Sequence, residues 1–252
     1  MADPFDLTGR VALVTGGNRG IGRGIAVGLA AAGASVAVAA RDQQATEDAV
    51  AEIAAAGGSA IGVACDVRRR EDIEAAIMRC GDELGGLDVL VPNAGVSGGG
   101  PPERLEEATW DAVLDTNLDA VFRCCQIAHP LLRDGGGKII TIGSEYALFG
   151  SPFVLPYAVS KGGVLQLTRS LAIAWARDDI QVNAIIPGWI STDMTAVVEE
   201  HPELRDTIVA RTPAGRFGEP HELAGAAVFL AARASDFVTG QAIPVDGGYS
   251  VA

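Results

Sequence analysis

The stretch that decides the fold runs from Val11 to Gly22 and reads VALVTGGNRGIG. A short apolar run that favours a buried strand is followed by a cluster of glycines, and the segment Ile21–Ala32 that comes next is predicted to be a helix. Glycine lets the backbone turn sharply, and the free N–H groups at a helix start attract negative charge. An ordinary glycine-rich turn would have the same composition. Its place at the first strand of a strand–helix alternation favours a site for a dinucleotide pyrophosphate.

Outward from this stretch, short β-branched runs alternate with helical segments. Apolar strands separated by helices predict a parallel sheet that is covered by helices on both faces. No linker divides the chain, so we expect a single doubly wound α/β domain over residues 1–252, with a small helical insertion that carries a substrate loop at about 189–213. The seven predicted strands are Arg10–Thr15, Ser35–Ala40, Ala60–Ala64, Leu87–Val91, Lys138–Ile142, Ile180–Ile185 and Gln241–Val245.

The composition excludes several classes of protein. The 252 residues are 48% hydrophobic and 20% charged, which suits a chain with a large core. A net charge of −13 disfavours nucleic acid as a partner, because phosphate backbones need a basic surface. The polar start MADPFDLTGR and the absence of a long apolar run predict neither a signal peptide nor a membrane span. Four cysteines without ligand spacing predict reduced thiols in a cytoplasmic protein.

The end of the second predicted strand bears on the choice of cofactor. NAD enzymes often carry an acidic residue there, whereas arginine accommodates the 2′-phosphate of NADP. Ala40 occupies the acidic position, Arg41 follows it, and Arg19 projects from the glycine-rich turn. Two guanidinium groups could hold one phosphate, although Asp42 could instead bind ribose hydroxyls. The sequence therefore favours NADP(H) and leaves NAD(H) open.

A second cluster of polar residues has the character of a catalytic site. Ser144 ends a strand, and Tyr157 and Lys161 stand four residues apart, on one face of a predicted helix. An ammonium group near a phenol favours the phenolate and lowers its pKa, and a serine hydroxyl can stabilise charge on a substrate oxygen. Tyrosine–lysine pairs with this spacing are also frequent on ordinary helices.

Asn117 adds an independent signal, because it falls on the apolar face of a predicted helix. A buried amide without partners costs about 1–3 kcal/mol, so we expect it to have a specific partner. That partner is either ordinary core structure or part of a catalytic site, such as a water or Lys161.

Taken in order, these features resemble the motif set of the short-chain dehydrogenases/reductases. The motifs are TGGNRGIG, Asp66, Asn93-Ala94-Gly95, Asn117, Ser144, Tyr157 with Lys161, and Pro187-Gly188, and the match runs to the closing VDGGY segment. The resemblance implies a Rossmann-type fold and an NAD(P)(H)-dependent oxidoreductase. Such an enzyme exchanges a hydride between a nicotinamide and a ketone, aldehyde or alcohol, without a metal, and is generally a homotetramer or a homodimer.

The resemblance also implies roles for individual residues. Tyr157 is the general acid/base and Ser144 orients the reacting oxygen; Lys161 lowers the tyrosine pKa and binds the nicotinamide ribose, and Asn117 holds a water in a proton relay. Asp66 would contact the adenine. The implied cofactor contacts are Gly16, Asn18, Arg19, Gly20, Ile21, Gly22, Arg41, Asp66, Val67, Asn93, Ala94, Gly95, Tyr157, Lys161, Pro187, Gly188, Ile190 and Thr192.

One departure from the family pattern concerns the central strands. Pro92 replaces the first asparagine of the usual Asn-Asn-Ala-Gly, which removes one bracing side chain and one backbone donor. This departure affects strand bracing rather than catalysis.

The substrate is less well determined than the reaction. We expect Ser144, Glu145, Tyr157 and Trp189 to contact it, and Glu145 could accept hydrogen bonds from the hydroxyls of a polyol or sugar-derived ketone. The alternative is a 3-oxoacyl-carrier-protein reductase, but the net charge of −13 weakens the case for an acidic carrier protein as partner. A non-catalytic NADP(H)-binding regulator is less favoured, because both Tyr157 and Lys161 are present.

Overall fold

A seven-stranded parallel sheet forms the centre of the protein, in the order β3-β2-β1-β4-β5-β6-β7, which confirms the predicted fold class. The computed structural model describes residues 3–252, so residues 1 and 2 of the predicted domain lie outside the described part. The strands are β1 Val11–Thr15, β2 Ser35–Ala40, β3 Ser59–Ala64, β4 Val89–Pro92, β5 Gly137–Ile142, β6 Ile180–Pro187 and β7 Ala242–Val245.

Helices cover both faces of the sheet, as the alternating pattern predicted. Successive strand residues point to opposite faces, so Leu13 and Ile139 belong to one buried cluster and Val14 and Ile140 to the other. The helices are α1 Gly20–Ala31, α2 Gln43–Ala55, α3 Arg70–Arg79, α4 Glu107–Leu114, α5 Ala120–Arg133, α6 Leu155–Trp175, α7 Ala196–Glu199, α8 Pro202–Arg211 and α9 Ala224–Ala231.

The strand order reverses between β1 and β4, and this is the point at which open α/β sheets bind their ligands. The glycine-rich turn follows β1, and Asn93 follows β4. The carboxyl ends of β5 and β6 lie on the same edge, with Ser144 just beyond β5. The two helices α7 and α8 form the predicted insertion after β6.

The end of β4 shows what Pro92 does to the sheet. Pro92 pairs in register with Thr15 of β1, but the ladder between β4 and β5 holds only Val89 with Lys138 and Leu90 with Ile139. Proline has no N–H group to donate, so a short ladder at this strand end is the physical consequence.

No helix within residues 3–252 has the length and apolar character that a membrane span requires.

Candidate active site

The glycine-rich turn forms a cradle at the start of α1. Gly16 and Gly20 have φ values of 63° and 52°, a region that residues with a Cβ rarely adopt. A Cβ on Gly22 would overlap the carbonyl of Gly16. Within residues 3–252, no side chain caps the amino end of α1, and its first turn contains no acidic residue. The free N–H groups and the close backbone approach fit a diphosphate.

Asn93 fastens this cradle to the end of β4. Its Nδ2 donates to the carbonyls of Thr15 (2.9 Å) and Gly16 (3.2 Å). In return, the Thr15 hydroxyl accepts the N–H groups of Asn93 (3.0 Å) and Ala94 (3.1 Å). Sequence reasoning missed Thr15, although a hydroxyl that ends an otherwise apolar buried strand was a usable signal.

The residues beyond β2 leave a basic surface at the adenosine side. Ala40 is buried and uncharged, and Arg41 after it is exposed. Asp42 is the N-cap of α2 and accepts the N–H of Ala45 (3.1 Å), so one of its oxygens is already used. Arg41 has no carboxylate within 4.0 Å among the described residues, and its positive charge helps to lower the pKa of Asp66.

Asp66, predicted to lie near the adenine, is held in place by its neighbour. Its carboxylate accepts hydrogen bonds from the Arg68 side chain, and this contact above all lowers the pKa of Asp66 to about 2. The backbone N–H of Asp66 donates to Asp72 (3.0 Å), and Val67 after it is buried. The segment after β3 is therefore held in place by its own contacts.

The segment after β6 reaches back over the glycine cradle. Pro187 ends the strand, and the Gly188 N–H donates to the carbonyl of Val245 (3.1 Å). A Cβ on Gly20 would lie 3.3 Å from Cγ2 of Thr192, so this predicted cofactor residue stands next to the cradle.

A hydroxyl that sequence reasoning missed shapes this segment. Thr195 accepts the N–H of Thr192 (3.0 Å) and donates to the Ile190 carbonyl (2.6 Å). The segment also approaches the cradle through Arg19, whose guanidinium lies 3.3 Å from the Asp193 carboxylate. Both side chains of that pair are mostly exposed, so the contact stabilises little.

Ser144, Tyr157 and Lys161 meet at the carboxyl end of β5. Ser144 caps the short 3₁₀ helix Glu145–Ala147 and is buried. Tyr157 lies in the first turn of α6, and Lys161 follows it by one turn. The Lys161 Nζ donates to the Ile142 carbonyl (2.8 Å) and stands 5.6 Å from the centre of the Tyr157 ring.

The electrostatics of this group differ from the sequence expectation in one respect. Burial raises the pKa of the Tyr157 phenol, and the nearby Ser144 hydroxyl acts in the opposite direction. Burial also lowers the pKa of Lys161 to about 8. Lys161 is not among the groups that shift the pKa of Tyr157, and desolvation of the phenolate is the largest effect on it.

Asn117 is fully buried, and its amide is satisfied by core structure. It lies in the π-helical turn Asp115–Asp119 between α4 and α5. Its Oδ1 accepts the Val96 N–H (2.8 Å), and its Nδ2 donates to the Val96 carbonyl (2.9 Å) and to the Ser160 hydroxyl (3.2 Å). The side chain thus ties the loop after β4 to α6. Ser160 was missed, because its partner is 43 residues away in the chain.

Two buried polar atoms close to Tyr146 have no protein partner among the described residues: Glu145 Oε2 and Trp189 Nε1. Glu145 is 3% exposed, and burial raises its pKa to about 8; the charge of Arg211 lowers it and that of Asp246 raises it. Trp189 packs edge-on against Tyr146, whose ring in turn meets that of Tyr157. Sequence analysis predicted Glu145 and Trp189 as substrate contacts, which stays a prediction. It did not single out Tyr146, which packs on Trp189, or Arg211, whose charge acts on Glu145.

Known proteins resemble the chain over nearly its full length. A family profile described as enoyl-(acyl carrier protein) reductase matches residues 16–250. A gluconate 5-dehydrogenase from Gluconobacter oxydans is 39% identical over 250 residues, which are 99% of this chain and 98% of that protein. A 3-oxoacyl-[acyl-carrier-protein] reductase from Staphylococcus aureus is 40% identical over 239 residues, 94% of this chain and 96% of that protein.

A solved structure agrees with these matches. The crystal structure of a gluconate 5-dehydrogenase from Burkholderia cenocepacia J2315, in complex with NADP and tartrate, superimposes with a TM-score of 0.95. It is 39% identical, and the match covers 99% of this chain and 98% of that chain.

Proposed function

The chain belongs to the short-chain dehydrogenase/reductase family, and from this membership we propose that it is an NADP(H)-dependent reductase of a sugar-acid ketone. As a family member it is an NAD(P)(H)-dependent oxidoreductase that interconverts a carbonyl and an alcohol by hydride transfer. The observation that carries the proposal is the meeting of Ser144, Tyr157 and Lys161 beside the glycine cradle.

Tyr157 acts as the general acid in the reductive direction. A bound nicotinamide cofactor supplies the hydride to the carbonyl carbon, and the Tyr157 phenol gives its proton to the carbonyl oxygen, so that an alcohol and a phenolate result. The raised pKa keeps the phenol protonated at neutral pH. The Ser144 hydroxyl donates a hydrogen bond to the oxygen as negative charge develops there. The Lys161 ammonium group lies near the Tyr157 ring and stabilises the negative charge of the phenolate.

The cofactor is NADP(H), as sequence analysis favoured. Arg41 and Arg19 supply positive charge for a 2′-phosphate, Ala40 brings no carboxylate, and Asp42 is used as a helix cap. The related enzyme from Burkholderia cenocepacia binds NADP with the same fold. Asp66 and Val67 contact the adenine, and Lys161 and Asn93 bind the nicotinamide ribose. The other predicted contacts are Gly16, Asn18, Gly20, Ile21, Gly22, Ala94, Gly95, Pro187, Gly188, Ile190 and Thr192.

Asn117 receives a positioning role. Its amide oxygen and nitrogen are both engaged with Val96 and Ser160, so it holds the loop that closes the site beside Tyr157. The water-relay role implied by the family resemblance is not required of its side chain.

The substrate is a small polyhydroxylated acid rather than a carrier-bound thioester. Glu145, directly after Ser144, is buried with an unpartnered oxygen, which a substrate hydroxyl can satisfy. Gluconate 5-dehydrogenases are among the most similar relatives. The 3-oxoacyl-thioester alternative rests on the Staphylococcus aureus relative of similar identity, but a chain with a net charge of −13 repels an acidic carrier protein.

Homo-oligomerisation, as a tetramer or a dimer, completes the proposal. Val159 and Ile173 on α6 and Phe122 on α5 are exposed in the single chain, and burial of such side chains would stabilise an assembly. Molar mass measured by light scattering tests it, and a monomeric mass would contradict it. The cytoplasmic location stays a prediction.

A substrate screen that follows nicotinamide absorbance tests the function. Purified chain is offered 5-keto-D-gluconate, neutral ketoses and 3-oxoacyl thioesters, each with NADPH and with NADH. We expect the highest kcat/KM for 5-keto-D-gluconate with NADPH. A preference for 3-oxoacyl thioesters would establish the alternative, and tight NADPH binding without turnover of any substrate would identify a regulator.

A further inference from the structure

Arg211 ends α8, the second helix of the insertion, and its guanidinium lies over two aromatic rings. The guanidinium carbon lies 4.1 Å from the ring centre of Tyr249 and 5.1 Å from that of Phe149. An N–H group also donates to the Tyr249 hydroxyl (3.3 Å). Arg211 is exposed, and its contacts with the two rings limit the conformations of its side chain, so it loses less freedom when it binds a ligand.

The three segments that form this clamp all border the catalytic group. Phe149 follows the 3₁₀ helix that begins after Ser144, and Tyr249 lies in the segment after β7. The charge of Arg211 acts on both Glu145 and Tyr146, and Glu145 in turn acts on Tyr157. The Phe149 N–H donates to the Glu145 carbonyl (3.0 Å), so the ring that Arg211 contacts is tied to the residue directly after Ser144.

That positive charge is not neutralised by the protein. Among residues 3–252, no carboxylate lies within 4.0 Å of the Arg211 guanidinium, whereas Arg205 and Arg216 on either side of it have such partners. Glu145 is protonated over most of the neutral range because its pKa is about 8. Asp246 accepts hydrogen bonds from the N–H groups of Gly248 and Ser250 and so serves the turn after β7.

We propose that Arg211 binds the carboxylate of the substrate and so makes the enzyme selective for sugar acids over neutral sugars. This inference rests on the proposed function and names the residue that sets its substrate class. Arginine suits the task because its planar fork binds a carboxylate through two charge-assisted hydrogen bonds. Glu145, as a neutral acid, donates or accepts hydrogen bonds at the hydroxyls between the carboxylate and the ketone.

The test compares two ketones that differ in one group. In L-sorbose a CH₂OH group replaces the carboxylate of 5-keto-D-gluconate, and the rest of the carbon chain is the same. Loss of the two charge-assisted bonds in Arg211→Gln should raise the KM for 5-keto-D-gluconate by about 10- to 100-fold, with a much smaller change in kcat. The kinetic parameters for L-sorbose should stay as in the wild type.

Matched variants separate binding from structure. Arg205→Gln removes an exposed arginine from the same helix and should leave both substrates unaffected. Arg211→Lys keeps the charge without the planar fork and should recover part of the affinity. Thermal denaturation checks that each variant is folded.

A binding measurement gives a second readout. Isothermal titration of the complex with NADPH, in which an alcohol cannot be oxidised, should show that D-gluconate binds the wild type more tightly than D-glucitol does, and that Arg211→Gln removes this difference. An Arg211→Gln enzyme with unchanged KM, or with equal losses for both ketones, would overturn the role of Arg211 alone. A wild-type chain that neither reduces 5-keto-D-gluconate nor binds D-gluconate would overturn the proposed function as well.

Discussion

The ammonium group of Lys161 lies 5.6 Å from the ring centre of Tyr157 and donates its 2.8 Å hydrogen bond to the carbonyl of Ile142. The lysine is therefore fixed beneath the tyrosine by the end of β5. Burial acts on both groups and disfavours the charged form of each, so the phenol is protonated and the ammonium loses its proton near pH 8.

This arrangement predicts different pH dependences for carbonyl reduction and alcohol oxidation. Reduction needs the neutral phenol, which is present throughout pH 6–7 because the pKa of Tyr157 is raised. Lys161 and Glu145, whose pKa values are about 8, also keep their protons there, so kcat/KM for reduction should be flat over that range. Oxidation needs the phenolate, whose small fraction rises about tenfold per pH unit below the pKa, so its kcat/KM should increase with pH. Initial rates in both directions, with saturating cofactor, measure this. Oxidation that is independent of pH between 6 and 8 would be inconsistent with Tyr157 as the base.

Exchange of Arg41 for aspartate should change the cofactor preference. In Arg41→Asp a carboxylate replaces a guanidinium at the 2′-phosphate, and we expect kcat/KM with NADPH to fall by about 10- to 100-fold while that with NADH rises. Arg133→Asp is the control, because Arg133 is also an exposed arginine but lies at the end of α5. An unchanged ratio of the two cofactors in Arg41→Asp would show that Arg41 does not face the phosphate.

Removal of the Asn117 amide should affect stability first. Asn117→Ala leaves the N–H and carbonyl of the partly buried Val96 without these partners, at a cost of about 1–3 kcal/mol in the free energy of unfolding. Urea denaturation measures this, and kcat should fall as the loop after β4 loosens. Gln126→Ala, an exposed amide on α5, should change neither quantity much. Full stability together with lost turnover would assign the Asn117 side chain a direct part in proton transfer.

Glu145 should make the folded state less stable as the pH rises. Its pKa is about 8 in the folded protein and 4.5 as a reference value, so between these values the folded state keeps a proton that the unfolded state has lost. Stability then falls with rising pH, by at most about 1.4 kcal/mol per unit. Glu145→Gln removes this dependence, and its stability relative to the wild type should improve from pH 5 to pH 8. Parallel stability curves for the two proteins would contradict a buried neutral carboxyl.

Much of the fold could be predicted because the parallel strands are continuous apolar runs. β2 has the bounds Ser35–Ala40 that the sequence predicted. β4 was predicted at Leu87–Val91 but spans Val89–Pro92. The Asp88 backbone bonds to Val11 and Lys138 (2.9 Å each), but its carboxylate accepts the Val11 N–H (2.8 Å) and a guanidinium N–H of Arg10 (2.7 Å). The Val11 N–H therefore bonds to a side chain instead of a strand carbonyl just before Val89. A side chain that replaces a backbone acceptor in the sheet leaves no periodic pattern in the sequence.

The candidate site was predictable where its residues form ordered motifs and not where they meet only in the tertiary structure. Tyr157 and Lys161 are one helical turn apart, so spacing alone puts them together. Arg211 and Tyr249 are far apart in the chain, and neither has a local pattern that marks it. The raised pKa of Tyr157 also escaped prediction, because it depends on how completely the surrounding loops exclude water.

The most direct test of the account is the rate of NADPH oxidation with 5-keto-D-gluconate by Tyr157→Phe. This change removes one ionisable hydroxyl and keeps the ring that packs on Tyr146. We predict a loss of about 10²- to 10⁴-fold in kcat, with NADPH binding, measured by fluorescence, unchanged. Turnover by Tyr157→Phe at the wild-type rate would contradict the assignment of Tyr157 as the proton donor.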